Sequence, residues 1–257
     1  MLMGELNGRV ALVTGASSGI GNGIAAAFGR EGADVVVADI RREPKLDEQR
    51  SVFDKLDEAD ANSLYVETDV RNESDAESAV KAAVDEFGGL DIVVNNAGIY
   101  HQHTIGDTPS EHWNDIIDVN LTGTFNISKA AISQLKSSSN GKIINLASMF
   151  GVVGAPQSGA YCASKGGVAN LTRQMAVDYA DDEINVNAMA PGVIKTAQNV
   201  EWRENSPDVI EDWERNTPWP EFGEVSDITP LAVFLASNKS DFMTGSVVSI
   251  DGGWTAQ

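Results

Sequence analysis

The stretch Val10-Ala-Leu-Val-Thr14-Gly15-Ala-Ser-Ser18-Gly19-Ile20-Gly21, running on through Asn22-Gly-Ile-Ala-Ala-Ala-Phe28, decides the fold. An uncharged, mostly aliphatic run enters a turn with three glycines, and the apolar pattern then changes to one of helical length. The order is strand, glycine turn, helix. Glycine there has two readings: the chain needs left-handed backbone to turn tightly, or its N–H groups must approach an anion at the helix N-terminus. The residues further out decide between them.

Outward from that stretch, short aliphatic runs recur at Asp34–Ala38, Leu64–Val66, Ile92–Val94, Lys142–Leu146, Ile184–Ala188 and Ser246–Ile250. Most lack polar alternation, as expected of strands covered on both faces, and helix-length patterns separate them. The series predicts an α/β fold, a single domain over residues 1–257 built on a doubly wound, Rossmann-type parallel sheet with helices on both faces. Thr108-Pro109-Ser110-Glu111 reads as a capping box with proline at the first helical position. The helix it opens carries Trp113, Ile116, Ile117, Leu121 and Phe125 at helical spacing, with Asn120 on or beside that apolar face and in need of a partner.

Eighteen basic residues against 38 acidic ones give a formal charge of -20, which disfavours nucleic acid and anionic membranes as partners. Only nine lysines, and clusters such as Asp57-Glu58-Ala59-Asp60 and Asp181-Asp182-Glu183, read as adaptation to high salt, where screening relieves self-repulsion. Cys162 is the only cysteine, so neither an internal disulfide nor a cysteine-based metal site can form. Residues Met1 to Arg9 lack an apolar core of signal-peptide length, and no uncharged apolar run approaches a membrane span. A soluble protein of the reducing cytoplasm is expected, with no metal.

Asp39 closes the second strand 20 residues after Gly19, where a dinucleotide fold places an acid to accept from ribose hydroxyls. A 2'-phosphate would meet like charge there, so NAD is expected in preference to NADP, although Arg41 and Arg42 could hold such a phosphate. Tyr161 and Lys165, four apart, share a helix face, and an adjacent ammonium would lower the phenol from its usual value of about 10. Ser148, just past the strand Lys142–Leu146, could hold a substrate oxygen while the phenol exchanges its proton. Alone, Tyr-x-x-x-Lys most often means an exposed helix face; its surroundings give it weight.

Those surroundings are Thr14-Gly-x-x-x-Gly-Ile-Gly21, Asn95-Asn96-Ala97-Gly98, Asn120, Ser148 thirteen residues before Tyr161, Tyr161-x-x-x-Lys165 and Pro191-Gly192, in that order. From Val10 to Gly253 the chain closely resembles the short-chain dehydrogenases/reductases of ordinary length. The resemblance implies Tyr161 as general acid/base, Lys165 lowering its pKa and binding nicotinamide ribose, Ser148 polarising the carbonyl, and Asn120 supporting a water relay to Lys165. It further implies that Gly15, Ser18, Ile20, Asp39, Asp69, Val70, Asn95, Ile194 and Thr196 line the dinucleotide. Ser17, Gly19, Gly21, Ala97, Gly98, Pro191 and Gly192 complete the cofactor-binding set, with Tyr161 and Lys165. Family members are usually tetramers or dimers, so a homo-oligomer is expected. In them a basic residue at the Ser18 position or just after the Asp39 position commonly marks NADP; Ser18 and Ile40 stand here, which strengthens NAD.

The substrate is less legible. Residues 197–222 correspond to the family's variable lid and hold Trp202, Trp213 and Trp219, which either wall the pocket or pin the lid to the body. His101 and His103 read as a solvated loop near the mouth of the site rather than as metal ligands. Cys162 reads as a small packed thiol. A small-molecule substrate, a sugar, polyol or other secondary alcohol, ranks first. A 3-oxoacyl thioester reductase, which would need a basic patch for carrier or coenzyme A phosphates, is the runner-up, and a non-catalytic nucleotide-binding regulator ranks last.

Overall fold

Strands form at all seven places the sequence marks: β1 (Val10–Thr14), β2 (Asp34–Asp39), β3 (Ser63–Glu67), β4 (Ile92–Asn95), β5 (Lys142–Leu146), β6 (Asn185–Pro191) and β7 (Val247–Ile250). The computed structural model describes residues 4–45, 50–197 and 199–257, without the side chains of residues 201 and 202. The sheet order is β3-β2-β1-β4-β5-β6-β7, and every neighbouring pair is parallel. The chain winds outward from β1 to β3, then crosses to β4 and winds the other way. Such a reversal leaves a crevice beyond the carboxyl ends of β1 and β4, where ligands of open α/β sheets bind.

Both sheet faces are covered, which is why the strands read without alternation. Ala11, Val13, Val35 and Val37 pack with Ile24 and Phe28 of α1 (Gly19–Arg30) and with Ile228 and Leu235 of α9 (Val225–Ala236). Leu12, Val36, Val93 and Ile143 face the other way, onto α3 (Glu73–Phe87), α5 (Gly123–Leu135) and α6 (Gly159–Asp178) through Val80, Ile127, Leu135 and Met175. The shorter helices are α2 (Val52–Asp57), α4 (Ser110–Ile117), α7 (Val200–Asn205) and α8 (Pro207–Asn216). Among the described residues no helix is long and apolar enough to cross a membrane.

Two local expectations are corrected. Helix α4 starts where expected, but its cap residue is Pro109 rather than Thr108, and with no side-chain oxygen at the cap no capping box forms; the Thr108 hydroxyl donates to the Thr104 carbonyl at 2.7 Å. A capping box stands instead at α9, between Glu224 and Asp227. The apolar stripe from Trp113 to Phe125 is also not one regular helix. A π-turn over Asp118–Thr122 joins α4 to α5, and the extra residue shifts the face, leaving Phe125 48% exposed while Ile116 is buried.

Candidate active site

A cavity of about 640 Å³ opens beyond the carboxyl ends of the central strands. Of the residues expected at the site, Gly15, Ser18, Gly19, Ile20, Asp39, Asp69, Val70, Ala97, Gly98, Ser148, Tyr161, Lys165, Pro191, Gly192, Ile194 and Thr196 line it. Ser17, Gly21, Asn95 and Asn120 do not. Each of these four stands one layer behind. Ser17 is buried, its N–H donating to Asp39 Oδ2 at 3.0 Å and its hydroxyl to the Arg41 carbonyl at 2.6 Å. A Cβ on Gly21 would lie 2.4 Å from both Asn96 Nδ2 and the Gly15 carbonyl oxygen, so only glycine lets α1 approach the β4 turn this closely.

Asn95 was expected to line the cofactor, and here the structure differs. The side chain of this buried residue points under α5, where Nδ2 donates to Ser128 Oγ at 2.9 Å and Asn145 Oδ1 at 2.8 Å. Its neighbour Asn96 faces the cavity instead, donating through Nδ2 to the Thr14 carbonyl at 2.8 Å. Thr14 Oγ1 accepts from the N–H groups of Asn96 and Ala97, both at 3.0 Å, and so ties β1 to the β4 turn. Asn96 and Thr14 stood inside quoted motifs without a role; their place at facing strand ends was the signal.

The turn after β1 is suited to a pyrophosphate. Gly19 has φ +57°, which side chains rarely adopt, and it lines the cavity at the start of the 12-residue α1. That helix has no acidic residue in its first turn and no side-chain cap, since Ser18 Oγ accepts from Lys45 N at 2.6 Å instead. Its N-terminal N–H groups and partial positive charge are left for an anion. At the end of β2 the Asp39 carboxylate is held by the N–H groups of Ser17 (3.0 Å) and Arg41 (3.2 Å), with lone pairs to spare for hydroxyls. Arg42 lies over the Phe53 ring at 4.1 Å, away from the cavity lining, whereas Arg41 and Lys45 belong to that lining. Asp69 is paired with Arg71 at 2.7 Å, which holds its carboxyl below the usual range.

On the other side of the cavity, Ser148 follows β5, and Tyr161 and Lys165 occupy the first two turns of α6. Ser148 Oγ accepts from Phe150 N at 3.1 Å, leaving its proton free to donate. Lys165 Nζ donates to the Leu146 carbonyl at 2.6 Å and lies 5.8 Å from the centre of the Tyr161 ring. The expected lowering of the phenol is not met. Burial pushes Tyr161 up to about 12, the Ser148 hydroxyl opposing it only in part, and burial pushes Lys165 down to about 8. Two desolvated groups each favour their neutral form, and this outweighs an ammonium directed at a backbone carbonyl.

Asn120 sits buried in the π-turn. Its Oδ1 accepts from Ile99 N at 2.8 Å, and its Nδ2 donates to the Ile99 carbonyl at 3.0 Å and to Ser164 Oγ at 3.1 Å. A Cβ on Gly98 would come 3.3 Å from Asn120 Oδ1 and 3.6 Å from Lys165 Nζ, so the two side chains flank one small space.

At the mouth, Trp213 walls the cavity, Trp219 is 68% exposed, and the Trp202 side chain lies outside the described residues. His101 and His103 are half-buried rather than solvated. They gather with His112: His103 Nε2 is 3.0 Å from His112 Nδ1, and His101 stacks on His112 at 4.4 Å. Among the described residues no cluster of His, Cys, Asp or Glu is arranged to hold a metal ion.

Residues 15–255 match a family described as Enoyl-(Acyl carrier protein) reductase. The chain is 36% identical over 253 residues to 2,5-dichloro-2,5-cyclohexadiene-1,4-diol dehydrogenase LinX of Sphingobium indicum, covering 98% of each protein. Among solved structures it is similar to a putative short-chain alcohol dehydrogenase from Sinorhizobium meliloti, with TM-score 0.92, 37% identity and 98% of each chain covered. Carveol dehydrogenase from Mycobacterium avium, in complex with NAD, matches at TM-score 0.91 and 30% identity over 99% of this chain and 100% of that one. A putative 2-deoxy-d-gluconate 3-dehydrogenase from Agrobacterium tumefaciens, with bound NADP, matches at 0.89 and 33% over the whole of both chains.

Proposed function

The chain belongs to the short-chain dehydrogenase/reductase family of nicotinamide-dependent oxidoreductases, and we propose that it interconverts a small, uncharged secondary alcohol and its ketone, a sugar, polyol or similar hydroxy compound, with NAD as the preferred cofactor. The observation that carries this reading is the convergence of Ser148, Tyr161 and Lys165 on the same cavity as the Gly15–Ile20 turn and Asp39. In oxidation, Tyr161 as phenolate takes the hydroxyl proton of the alcohol; in reduction, the neutral phenol returns a proton to the carbonyl oxygen. Ser148 donates to that same oxygen. Lys165 holds the nicotinamide ribose and, with Asn120 and a water between them, passes protons onward from the phenol. The bound nicotinamide supplies or accepts the hydride. In the lid proposed over residues 197–222, Trp213 contributes to the cavity wall. A homodimer or tetramer is the proposed assembly, as the family resemblance implies. The cytoplasm is the proposed location.

The decisive assay is a panel of sugars, polyols, hydroxy acids and acyl thioesters with each cofactor in molar salt. Turnover of neutral alcohols supports the reading; turnover of acyl thioesters alone would transfer it to the 3-oxoacyl class.

Cofactor choice rests on Asp39. A 2'-phosphate about 4 Å from its carboxylate would cost up to about 4 kcal/mol per charge pair at an effective dielectric of 20. Arg42 is stacked on Phe53 and Arg71 of the lining is paired with Asp69, which among the described residues leaves Arg41 and Lys45 to offset this, from positions exposed to solvent and salt. Wild type is expected to favour NAD over NADP by about tenfold or more in kcat/KM, equivalent to about 1.4 kcal/mol, and Asp39→Ala to narrow the gap. Equal use of the two cofactors by wild type would show that the basic residues win.

For the acidic surface, proposed as an adaptation to salt, the unfolding midpoint should climb as potassium chloride goes from near zero to molar. A screening gain of about 2 kcal/mol corresponds to about 4–8 °C in a chain of this size. An unchanged midpoint would count against salt adaptation and leave the enzymatic reading as it stands.

A further inference from the structure

We propose that Tyr100 is a positioning residue for the reaction, its ring fixing the angle of the Tyr161 phenol and keeping water from it. This rests on Tyr161 being the acid/base. The Tyr100 and Tyr161 rings meet edge to face, with centres 4.9 Å apart and planes at 87°. Lys165 Nζ lies 5.8 Å from the Tyr161 ring centre. Beside the Ser148 hydroxyl at its phenol, Tyr161 thus has an aromatic ring on a loop and a cation on its own helix as neighbours.

A partner ring can fix a phenol only if it is fixed itself, and Tyr100 is held on both sides. Before it in the chain, Asn120 grips both the N–H and the carbonyl of Ile99, at 2.8 and 3.0 Å. After it, His103 N donates to the Gln157 carbonyl at 2.7 Å, and the His103 ring meets His112 of α4. Its own hydroxyl lies 2.6 Å from Ser158 Oγ. Ser158 donates its proton to the Pro156 carbonyl at 2.9 Å, so the Tyr100 hydroxyl is the donor and Ser158 the acceptor. Ser158 is the residue that opens α6, the helix carrying Tyr161 and Lys165. Loop, helix start and acid/base are thus one packed unit, and Asn120 reaches Tyr161 through it. The titratable groups facing the Tyr161 phenol are Tyr100 from the loop and Cys162 and Lys165 from α6. Burial is the largest cause raising that phenol, and Tyr100 adds to it.

The test compares Tyr100→Phe and Tyr100→Leu in the full chain, using the best alcohol from the substrate panel, with Tyr161→Phe alongside. Tyr100→Leu should lower kcat by about 10- to 100-fold with little change in KM, since misaiming a reacting group by about 1 Å has that scale of effect. It should also move the alkaline rise of alcohol oxidation to lower pH by about one unit, because more of the half-buried phenol is then open to water, which eases its ionisation. Tyr100→Phe keeps the ring and should restore most of kcat and of the pH profile. A kcat loss with an unmoved pH profile would reduce Tyr100 to structural support and overturn the proposal. A change in KM alone would make it a substrate contact, with the same consequence. If Tyr161→Phe itself stays active, the acid/base reading fails and this proposal fails with it; if only the Tyr100 variants behave like wild type, the acid/base reading survives alone.

Discussion

Tyr161→Phe is expected to lower kcat by about 10²–10⁴-fold, the range that a positioned general acid/base contributes, while folding and cofactor affinity stay near wild type. The substitution removes one oxygen and its proton and leaves the ring to pack against Tyr100. Tyr161 is half-buried at the cavity wall, with the Ser148 hydroxyl as the hydrogen-bonding neighbour of its phenol. Ser148 lines the cavity and can turn its proton to water there, so little destabilisation is expected. The pH dependence of wild type has a definite sign. Burial raises the phenol, so the neutral form dominates near neutrality and the phenolate needed for alcohol oxidation grows as pH rises. Oxidation should therefore accelerate with pH, while ketone reduction, which uses the neutral phenol, should not. Steady-state rates in both directions from pH 6 to 7.5, below the range in which Lys165 loses its charge, on both proteins, check the pair of claims. A Tyr161→Phe enzyme with a tenth of wild-type turnover would remove Tyr161 from the chemistry.

The fold was legible because parallel strands buried on both faces leave unbroken aliphatic runs, and β5, Lys142–Leu146, lies where its run does. Even Lys142 fits, since its buried ammonium donates to Asn185 Oδ1 and Asp241 Oδ1 at the sheet's amino-terminal edge. The π-turn at Asp118–Thr122 was not legible. It inserts a residue into a pattern that reads equally well as one α-helix, and tertiary contacts compensate for it: Asn120 gains Ile99 and Ser164 as partners. The capping box misled because α4 is capped one residue later than the pattern implies, at Pro109, which has no side-chain oxygen to accept from the first turn.

At the site, spacing brought Tyr161 and Lys165 onto one helix face, but the balance between their charges depended on burial that no spacing encodes. Asn95 was placed at the dinucleotide only as the family resemblance implied. Asn95 ends β4 with its side chain turned under α5, and the next residue, Asn96, lines the cavity. The clustering of His101, His103 and His112 joins a loop to a helix nine or more residues on, and nothing local announces it.

Lys165 carries the second large effect. Its ammonium is buried, donates to the Leu146 carbonyl at 2.6 Å and lies against the Tyr161 ring. Two substitutions separate its charge from its bulk. Lys165→Met retains most of the volume and removes the charge; Lys165→Ala also opens a hole beside Tyr161. If the charge is what matters, both should lose kcat by about 100-fold or more, the lower end of what a positioned proton-transfer group contributes. Both should also weaken cofactor binding, because the same ammonium is proposed to hold the nicotinamide ribose. Burial pushes Lys165 down to about 8, so in wild type the charge is present below that pH and fades above it. Cofactor affinity should consequently fall as pH rises past about 8 in wild type and show no such break in Lys165→Met. Titrating cofactor into both proteins between pH 6.5 and 9.5 reads this directly, with no substrate required. If wild type and Lys165→Met bound equally well throughout, the ribose role would be lost, and a Lys165→Met enzyme as active as wild type would show that packing rather than charge is what α6 supplies at this position.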